Sequence, residues 1–175
     1  ISFVATPNPM TLVKLAETAQ THQEDLIRSI HNGWLSEKLQ TKEHCAHAGI
    51  SNSLRFLMKP DKARARFLDK ILKRADNLLP VNCWPELKLI GCWLGGSIGF
   101  HADSLSAYYG MTPRRDIGYM ASEGCITLPI QDSTPGGLLA LLNNYYEFIP
   151  EYQIDSKHPD ILLAHETELG KCYKL

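Results

Sequence analysis

The sequence predicts an α/β fold in which a mixed β-sheet is flanked by helices. The first observation is that residues 1–80 contain segments whose apolar side chains recur at helical spacing. The second is that residues 81–175 contain short apolar runs separated by turns, as expected of strands. With 175 residues, 44% of them hydrophobic and 21% charged, the chain has an ordinary globular composition that suits one domain.

The first 80 residues are predicted to be mainly a helical cover. Ile1–Ala5 is an apolar run typical of a strand. One helix is predicted over Met10–Gln20, and a second around Leu26–Ile30 ends at Asn32-Gly33, a common stop signal. A third is predicted over Asp61–Asn77, where one face is apolar. That face consists of Phe67, Leu68, Ile71 and Leu72.

The part from residue 81 to 175 is predicted to be rich in strands. One helix, Asp103–Tyr109, lies among them, and Pro135-Gly136-Gly137 marks a loop. Because both ends of the chain fall within predicted strands, we expect residues 1–175 to be a single fragment of a larger domain. The predicted strands are Leu87–Leu94, Asp116–Met120, Cys125–Ile130, Tyr145–Ile149, Ile161–Ala164 and Lys171–Leu175.

Charge and hydropathy argue against nucleic-acid and membrane partners. The formal net charge is -1, and the basic run Lys62–Arg74 is interrupted by Asp69, so we interpret it as a solvated helix face. No apolar run approaches the roughly 20 residues that a membrane helix requires. Because no signal peptide opens the chain either, the sequence predicts a cytoplasmic protein.

The five cysteines are predicted to be reduced thiols, because their number is odd and no C-x-x-C spacing occurs. Cys92 lies in an apolar run and is expected in the core, whereas Cys125 could line a pocket. His44 and His47 have a spacing that could ligate a metal on a helix. No third ligand is patterned nearby, so a surface or packing role is favoured.

The stretch Tyr119-Met-Ala-Ser122-Glu123-Gly124 has the clearest chemical content, since it places a hydroxyl beside a carboxylate just after a predicted strand. A serine hydroxyl donates to phosphate oxygens, whereas a carboxylate approaches a phosphate through a bridging Mg²⁺. Gly124 lets the backbone turn closely past a ligand. The alternative is that Ser-Glu-Gly is a common surface turn.

Two further motifs flank this stretch in order. Upstream stands Trp84-Pro-Glu-Leu-Lys-Leu-Ile-Gly-Cys-Trp-Leu-Gly95-Gly96-Ser97, and downstream stands Tyr145-Tyr-Glu-Phe-Ile-Pro150. With them the chain resembles the auxin-responsive acyl-amido synthetases, a plant and bacterial branch of the adenylate-forming superfamily. The family pattern has phenylalanine where this chain has Tyr146. The resemblance, sharpest from Trp84 to Pro150, implies part of the large N-terminal domain of an adenylate-forming enzyme.

The resemblance also implies a reaction. In the superfamily a carboxylic acid attacks the α-phosphate of ATP, pyrophosphate leaves, and a second nucleophile captures the acyl-adenylate. In this family that nucleophile is usually the amine of an amino acid, and the product is an amide. Ser122 would bind the α-phosphate and Glu123 would hold the metal, so ATP and Mg²⁺ are the implied cofactors. A small carboxylic acid and an amine or amino acid are the implied partners.

A slot for the adenosine follows from the same resemblance. Tyr119 would supply a flat ring, and Gly95-Gly96-Ser97 would end another strand with almost no side chain. We expect Ser97, Tyr119 and Ser122 to meet at one edge of one sheet, because ligands of α/β sheets lie beyond strand ends. The alternative is that Gly95-Gly96 only makes a tight turn and Tyr119 packs in the core. Glu147 is given no catalytic role.

Several parts of the superfamily's active site have no counterpart in the chain. These are the Ser/Thr/Gly-rich loop around the triphosphate, a later Gly-Asp segment and a mobile lid with a lysine. The chain is therefore predicted to be an inactive part of an ATP-dependent ligase, and to self-associate through exposed sheet edges. The alternative is a non-catalytic interaction or regulatory α/β module that kept the sheet and lost the chemistry.

Overall fold

The computed structural model describes residues 1–35 and 57–175, so the predictions for His44 and His47 lie outside the described residues. The chain divides into two compact units. The first unit comprises Ile1–Ile117 and Asp132–Pro135, and the second comprises Gly118–Gln131 and Gly136–Leu175. The organisation as one fragment, with a helical cover over residues 1–80, stays a prediction.

Three helices of the first unit confirm the predictions from periodicity: α1 (Pro9–Thr21), α2 (Gln23–Asn32) and α3 (Lys62–Ala75). Their ends follow the local sequence. The Asp61 side chain accepts the Arg64 N–H at 2.8 Å and caps α3, and Gly33 ends α2 with a left-handed φ of 75°. A short helix, α4 (Pro80–Cys83), leads from α3 towards the sheet.

The first unit contains a parallel sheet of three short strands in the order β1 (Phe3–Ala5), β2 (Leu89–Gly91) and β3 (Arg114–Arg115). Ile90 pairs with Val4 on one side and with Arg114 on the other. Helices α5 (Gly99–Ser104) and α6 (Ser106–Tyr109) connect β2 to β3. Because the strands are parallel, their carboxyl ends lie at the same edge.

The core of the first unit lies on one face of this sheet. Ile90 and Cys92 are fully buried there, so the prediction for Cys92 is confirmed. The Tyr109 hydroxyl is buried as well and donates to the Leu12 carbonyl of α1 at 3.0 Å, which satisfies its polar atom. A second cluster joins α3 to the segment before β2 and consists of Leu68, Leu78 and Cys83.

The second unit is built from antiparallel strands. The hairpin of β4 (Met120–Ala121) and β5 (Gly124–Cys125) comes first, and β6 (Thr127–Leu128) pairs with β7 (Leu138–Leu139). In the third sheet β8 lies between its two partners. Its strands are β8 (Glu147–Pro150), β9 (Leu162–Leu163) and β10 (Tyr173–Lys174).

The predicted α/β class is confirmed, and the strands in the described part of the chain form one parallel and three antiparallel sheets. The predicted strand Asp116–Met120 is wrong, because strand pairing stops at Arg115 and resumes at Met120. The cause is Gly118, whose φ of 89° no strand accommodates. The predicted helix Asp103–Tyr109 begins earlier, at Gly99, and is interrupted at Leu105. None of the described helices is both long and apolar enough to cross a membrane.

Candidate functional site

Ser122 and Glu123 form the two-residue turn of the β4–β5 hairpin. The flanking residues pair as Ala121 with Gly124 and as Met120 with Cys125. Both turn residues are exposed, so the hydroxyl and the carboxylate are accessible to a ligand. Gly124 has a φ of 139°, a conformation that side chains rarely adopt, and this explains the glycine after the turn.

Tyr119 lies at the base of this hairpin. Its N–H donates to the Thr127 Oγ1 at 2.9 Å, and its carbonyl accepts the Ile126 N–H at 2.8 Å. These bonds fix the backbone of Tyr119, while 60% of the residue remains exposed. The alternative that Tyr119 packs in the core is therefore wrong, and its ring is accessible to a ligand.

Gly95-Gly96-Ser97 follows β2 beyond the carboxyl edge of the parallel sheet. Gly96 has a left-handed φ of 61°, and a one-turn 3-10 helix covers Gly96–Ile98. A Cβ on Gly95 would lie 3.0 Å from the Cβ of Pro135, so the turn passes close to a neighbouring segment of the same unit. Ser97 is exposed on this turn.

Asp116, which was not predicted as a site residue, follows β3 at the same edge of the sheet. Asp116 is only 7% exposed, and its Oδ2 accepts a hydrogen bond from the Leu94 N–H at 2.7 Å. This hydrogen bond holds the backbone just before Gly95-Gly96. An acidic residue directly after a strand of an α/β fold is a typical signal of a site residue. The predicted strand Asp116–Met120 placed Asp116 inside a strand, so this signal was not recognised.

Arginine side chains reinforce the same part of the first unit. The Arg114 Nη1 donates to the Ala102 carbonyl at 2.7 Å and its Nη2 donates to the Ser106 hydroxyl, which ties β3 to the helices of the crossover. The Arg115 Nε donates to Asp132 at 2.8 Å. These bonds give the sheet edge a defined geometry.

Two thiols, Cys92 and Cys125, lie near the predicted site residues, and Cys92 is not an activated nucleophile. Burial raises the pKa of the Cys92 thiol from its ordinary value of 9.0 to about 11; Asp116 raises it further, whereas Arg114 opposes the shift. Cys92 is therefore un-ionised at neutral pH. Cys125 is partly buried, and its Sγ donates to the Thr127 carbonyl at 3.3 Å.

The structure brings together four of the predicted site residues in one hairpin: Tyr119, Ser122, Glu123 and Gly124. The other three, Gly95, Gly96 and Ser97, belong to the first unit. Ser97 follows a strand of the parallel sheet, whereas Ser122 belongs to a separate two-stranded sheet, so the expectation that one sheet carries both is wrong. The binding roles of all seven residues stay predictions.

The donor set at the hairpin tip suits a magnesium ion that is shared with a phosphate. Within residues 1–35 and 57–175, no group of three or more His, Cys, Asp or Glu side chains could hold a metal. Glu123 offers a single accessible carboxylate, and Mg²⁺ is commonly held by one or two carboxylates together with substrate phosphates. The residue fits that mode of binding and does not fit a closed protein cage.

Comparisons with known proteins agree on one family. Residues 1–114 match the model of the GH3 family N-terminal domain. Indole-3-acetic acid-amido synthetase GH3.3 of Arabidopsis thaliana is 22% identical over 163 residues, which cover 89% of this chain and 26% of that protein. This chain thus spans about a quarter of the length of that relative.

Solved structures of the same family share the fold. GH3.15 acyl acid amido synthetase superposes with a TM-score of 0.66 at 19% identity, over 99% of this chain and 30% of that one. AtGH3.15 acyl acid amido synthetase in complex with 2,4-DB gives a TM-score of 0.68 at 18% identity, over 99% and 29%. Because the family model covers more than half of the sequence, the chain belongs to the GH3 family.

Proposed function

We propose that this chain is part of an ATP-dependent ligase that joins an acyl acid to an amino acid or amine. The observation that carries the proposal is an exposed Ser122-Glu123 turn in a chain of the GH3 family. The named relatives are an indole-3-acetic acid-amido synthetase and an acyl acid amido synthetase, which supports the same reaction class here. The acid is adenylated by ATP, and the amine then displaces AMP to form the amide.

Each residue of the hairpin has a distinct role in this proposal. The Ser122 hydroxyl donates to the α-phosphate and orients it for attack by the acid. The Glu123 carboxylate holds Mg²⁺, and the metal neutralises charge that develops on the phosphates. Gly124 keeps the backbone free of a side chain beside the ligand, and Tyr119 offers the face of its ring to the adenine. Neither Ser122 nor Glu123 is a nucleophile.

For the first unit, we propose that the turn Gly95-Gly96-Ser97 binds the adenosine. Gly95 and Gly96 carry no side chain and let a flat base approach the backbone, and the exposed Ser97 hydroxyl can donate to the ligand. We also propose a cytoplasmic location. The support is that the four cysteines in the described part of the chain, Cys83, Cys92, Cys125 and Cys172, are all free thiols.

The experiment is acid-dependent exchange of pyrophosphate into ATP, measured with the full-length protein. Glu123→Ala should lower the exchange rate by about two to three powers of ten, which is typical for removal of one transition-state stabiliser. Ser122→Ala should lower it less, because the metal remains. Glu147→Ala is the matched control, since Glu147 is an exposed glutamate of the same unit. Its exchange rate should equal that of the wild type.

Two results would contradict the proposal. Wild-type exchange by a folded Glu123→Ala protein would remove the metal-holding role. The non-catalytic interaction module would instead be favoured if the wild-type protein exchanged no pyrophosphate into ATP in the presence of any of a panel of aliphatic and aromatic acids.

A further inference from the structure

A second concave region of the first unit is unrelated to the predicted nucleotide residues. It is a cavity of about 540 Å³, which we call the helix-side cavity, bounded by α1, α2, α3 and the segment from Leu78 to Glu86. Its walls are mainly apolar, and its volume lies in the range of about 300–1,000 Å³ that is usual for small-molecule sites. Its apolar wall includes Leu15, Leu26, Ile30, Leu68 and Trp84.

Arg64 of α3 is the one cationic side chain among the described residues that line this apolar cavity. Its Nη2 donates to the Cys83 carbonyl at 2.6 Å, and its guanidinium lies over the Phe67 ring at 5.1 Å from the centroid. These two contacts fix the orientation of the guanidinium. No carboxylate in the described part of the chain lies within ion-pair distance of it, so its remaining N–H groups are available to an anion.

The helix-side cavity lies at the opposite end of the parallel strands from Gly95-Gly96-Ser97. Ile1 precedes β1 and Trp84-Pro85-Glu86 precedes β2, and these residues line the cavity at the amino ends of the strands. The glycine turn follows the carboxyl end of β2. The Trp84-Pro85-Glu86 part of the sequence pattern therefore belongs to this cavity and not to the proposed nucleotide site.

We propose that the helix-side cavity binds an apolar carboxylic acid, with its carboxylate on Arg64 and its hydrocarbon among the leucines of the helices. A guanidinium recognises a carboxylate through paired N–H donors, and the pair gains strength beside apolar walls. Glu86, the one acidic residue among the described residues of the lining, is exposed, so solvent screens its charge. This site is separate from the one where an acid would be adenylated, because it lies at the other end of the strands from the proposed nucleotide turn.

The test is calorimetric titration of the full-length protein with octanoate, 1-octanol and octyltrimethylammonium. Octanoate should bind most tightly and the cationic amphiphile should not bind. Arg64→Met should weaken octanoate binding by about ten- to a hundredfold, the range expected for a hydrogen bond to a charged group, and should leave octanol unchanged. Arg66→Met is the matched control, because Arg66 lies on the same helix, is exposed and does not line the cavity.

The proposal is separable from the proposed function. Titration needs no catalysis, and the Glu123→Ala protein should bind octanoate as tightly as the wild type even where exchange is lost. Leu68→Trp, which fills the cavity, should abolish binding of both octanoate and octanol. The proposal is overturned by a wild type that does not bind octanoate, by Arg64→Met binding octanoate normally, or by Arg66→Met weakening it equally.

Discussion

Asp116 connects two segments at the carboxyl edge of the sheet, where its carboxylate accepts a partly buried hydrogen bond from the Leu94 N–H. Asp116→Ala should lower the free energy of unfolding by about 1–3 kcal/mol, because the partly buried Leu94 N–H would lose its acceptor. Asp116→Asn should lower the free energy of unfolding by less, since the amide oxygen of asparagine can still accept the hydrogen bond from the Leu94 N–H. Urea unfolding measures both values.

Asp132 provides the comparison for this prediction. Its carboxylate pairs with Arg115 at 2.8 Å, and both side chains are 41% exposed. Solvent screens such a pair, so Asp132→Ala should cost less than about 1 kcal/mol. Equal losses for Asp116→Ala and Asp132→Ala would show that the burial of Asp116 contributes nothing.

Cys92 gives the stability a dependence on alkaline pH. Its pKa is raised by burial to about 11, so the folded thiol stays neutral where the unfolded thiol, with its ordinary value of 9.0, ionises. The buried Cys92 thiol therefore makes its full contribution to the free energy of unfolding below about pH 9, and this contribution is lost as the pH rises towards 11. Burial raises the pKa of Tyr109 to about 12 in the same direction.

The measurement is urea unfolding at about pH 8 and about pH 10.5. The free energy of unfolding should fall between these values, and it should fall less in Cys92→Ala than in the wild type. Cys172→Ala should behave as the wild type, because Cys172 is exposed. An unchanged pH dependence in Cys92→Ala would refute the assignment.

At the scale of elements, the helices were predictable and the strands were less so. Asp61 and Gly33 are local signals that act on their own helices, so the boundaries of α2 and α3 follow from the sequence. The strands are only two to four residues long, and their ends depend on partners far along the chain. Ser122-Glu123 was found as a motif, whereas Asp116 became visible only through its contact with Leu94, 22 residues away.

The hairpin that carries Ser122 and Glu123 depends on Gly118. Its φ is 89°, and a Cβ at this position would lie 2.5 Å from the Thr127 carbonyl oxygen. Gly118→Ala should therefore combine left-handed strain with a clash against the backbone, and should lower the free energy of unfolding by about 2–4 kcal/mol.

Gly170 separates the two causes of that loss. It has a similar φ of 83°, but nothing lies within 4 Å of a Cβ added there. Gly170→Ala should therefore lower the free energy of unfolding only through left-handed backbone strain, by about 1–2 kcal/mol. Chemical unfolding of the two variants should show the larger loss for Gly118→Ala, and the reverse order would refute the role of the Thr127 contact.

At the scale of the whole molecule, the parallel sheet has one face without a packed core in the described part of the chain. Helices cover the face that carries Ile90, whereas Phe3 is 56% exposed and Ala5 is exposed on the other side. Parallel sheets are normally covered on both faces. The chain spans about a quarter to a third of the length of its relatives, and we propose that further protein covers this face.

The 175-residue chain on its own should therefore self-associate through this face and the edge strand β1. Phe3→Glu should weaken the association by about ten- to a hundredfold, the equivalent of burying one large apolar side chain. Leu169→Glu is the control, because Leu169 is fully exposed in a loop of the second unit and no sheet face includes it. Sedimentation velocity over a range of concentrations measures both variants. A strictly monomeric chain, or equal effects of the two substitutions, would show that the uncovered face does not drive association.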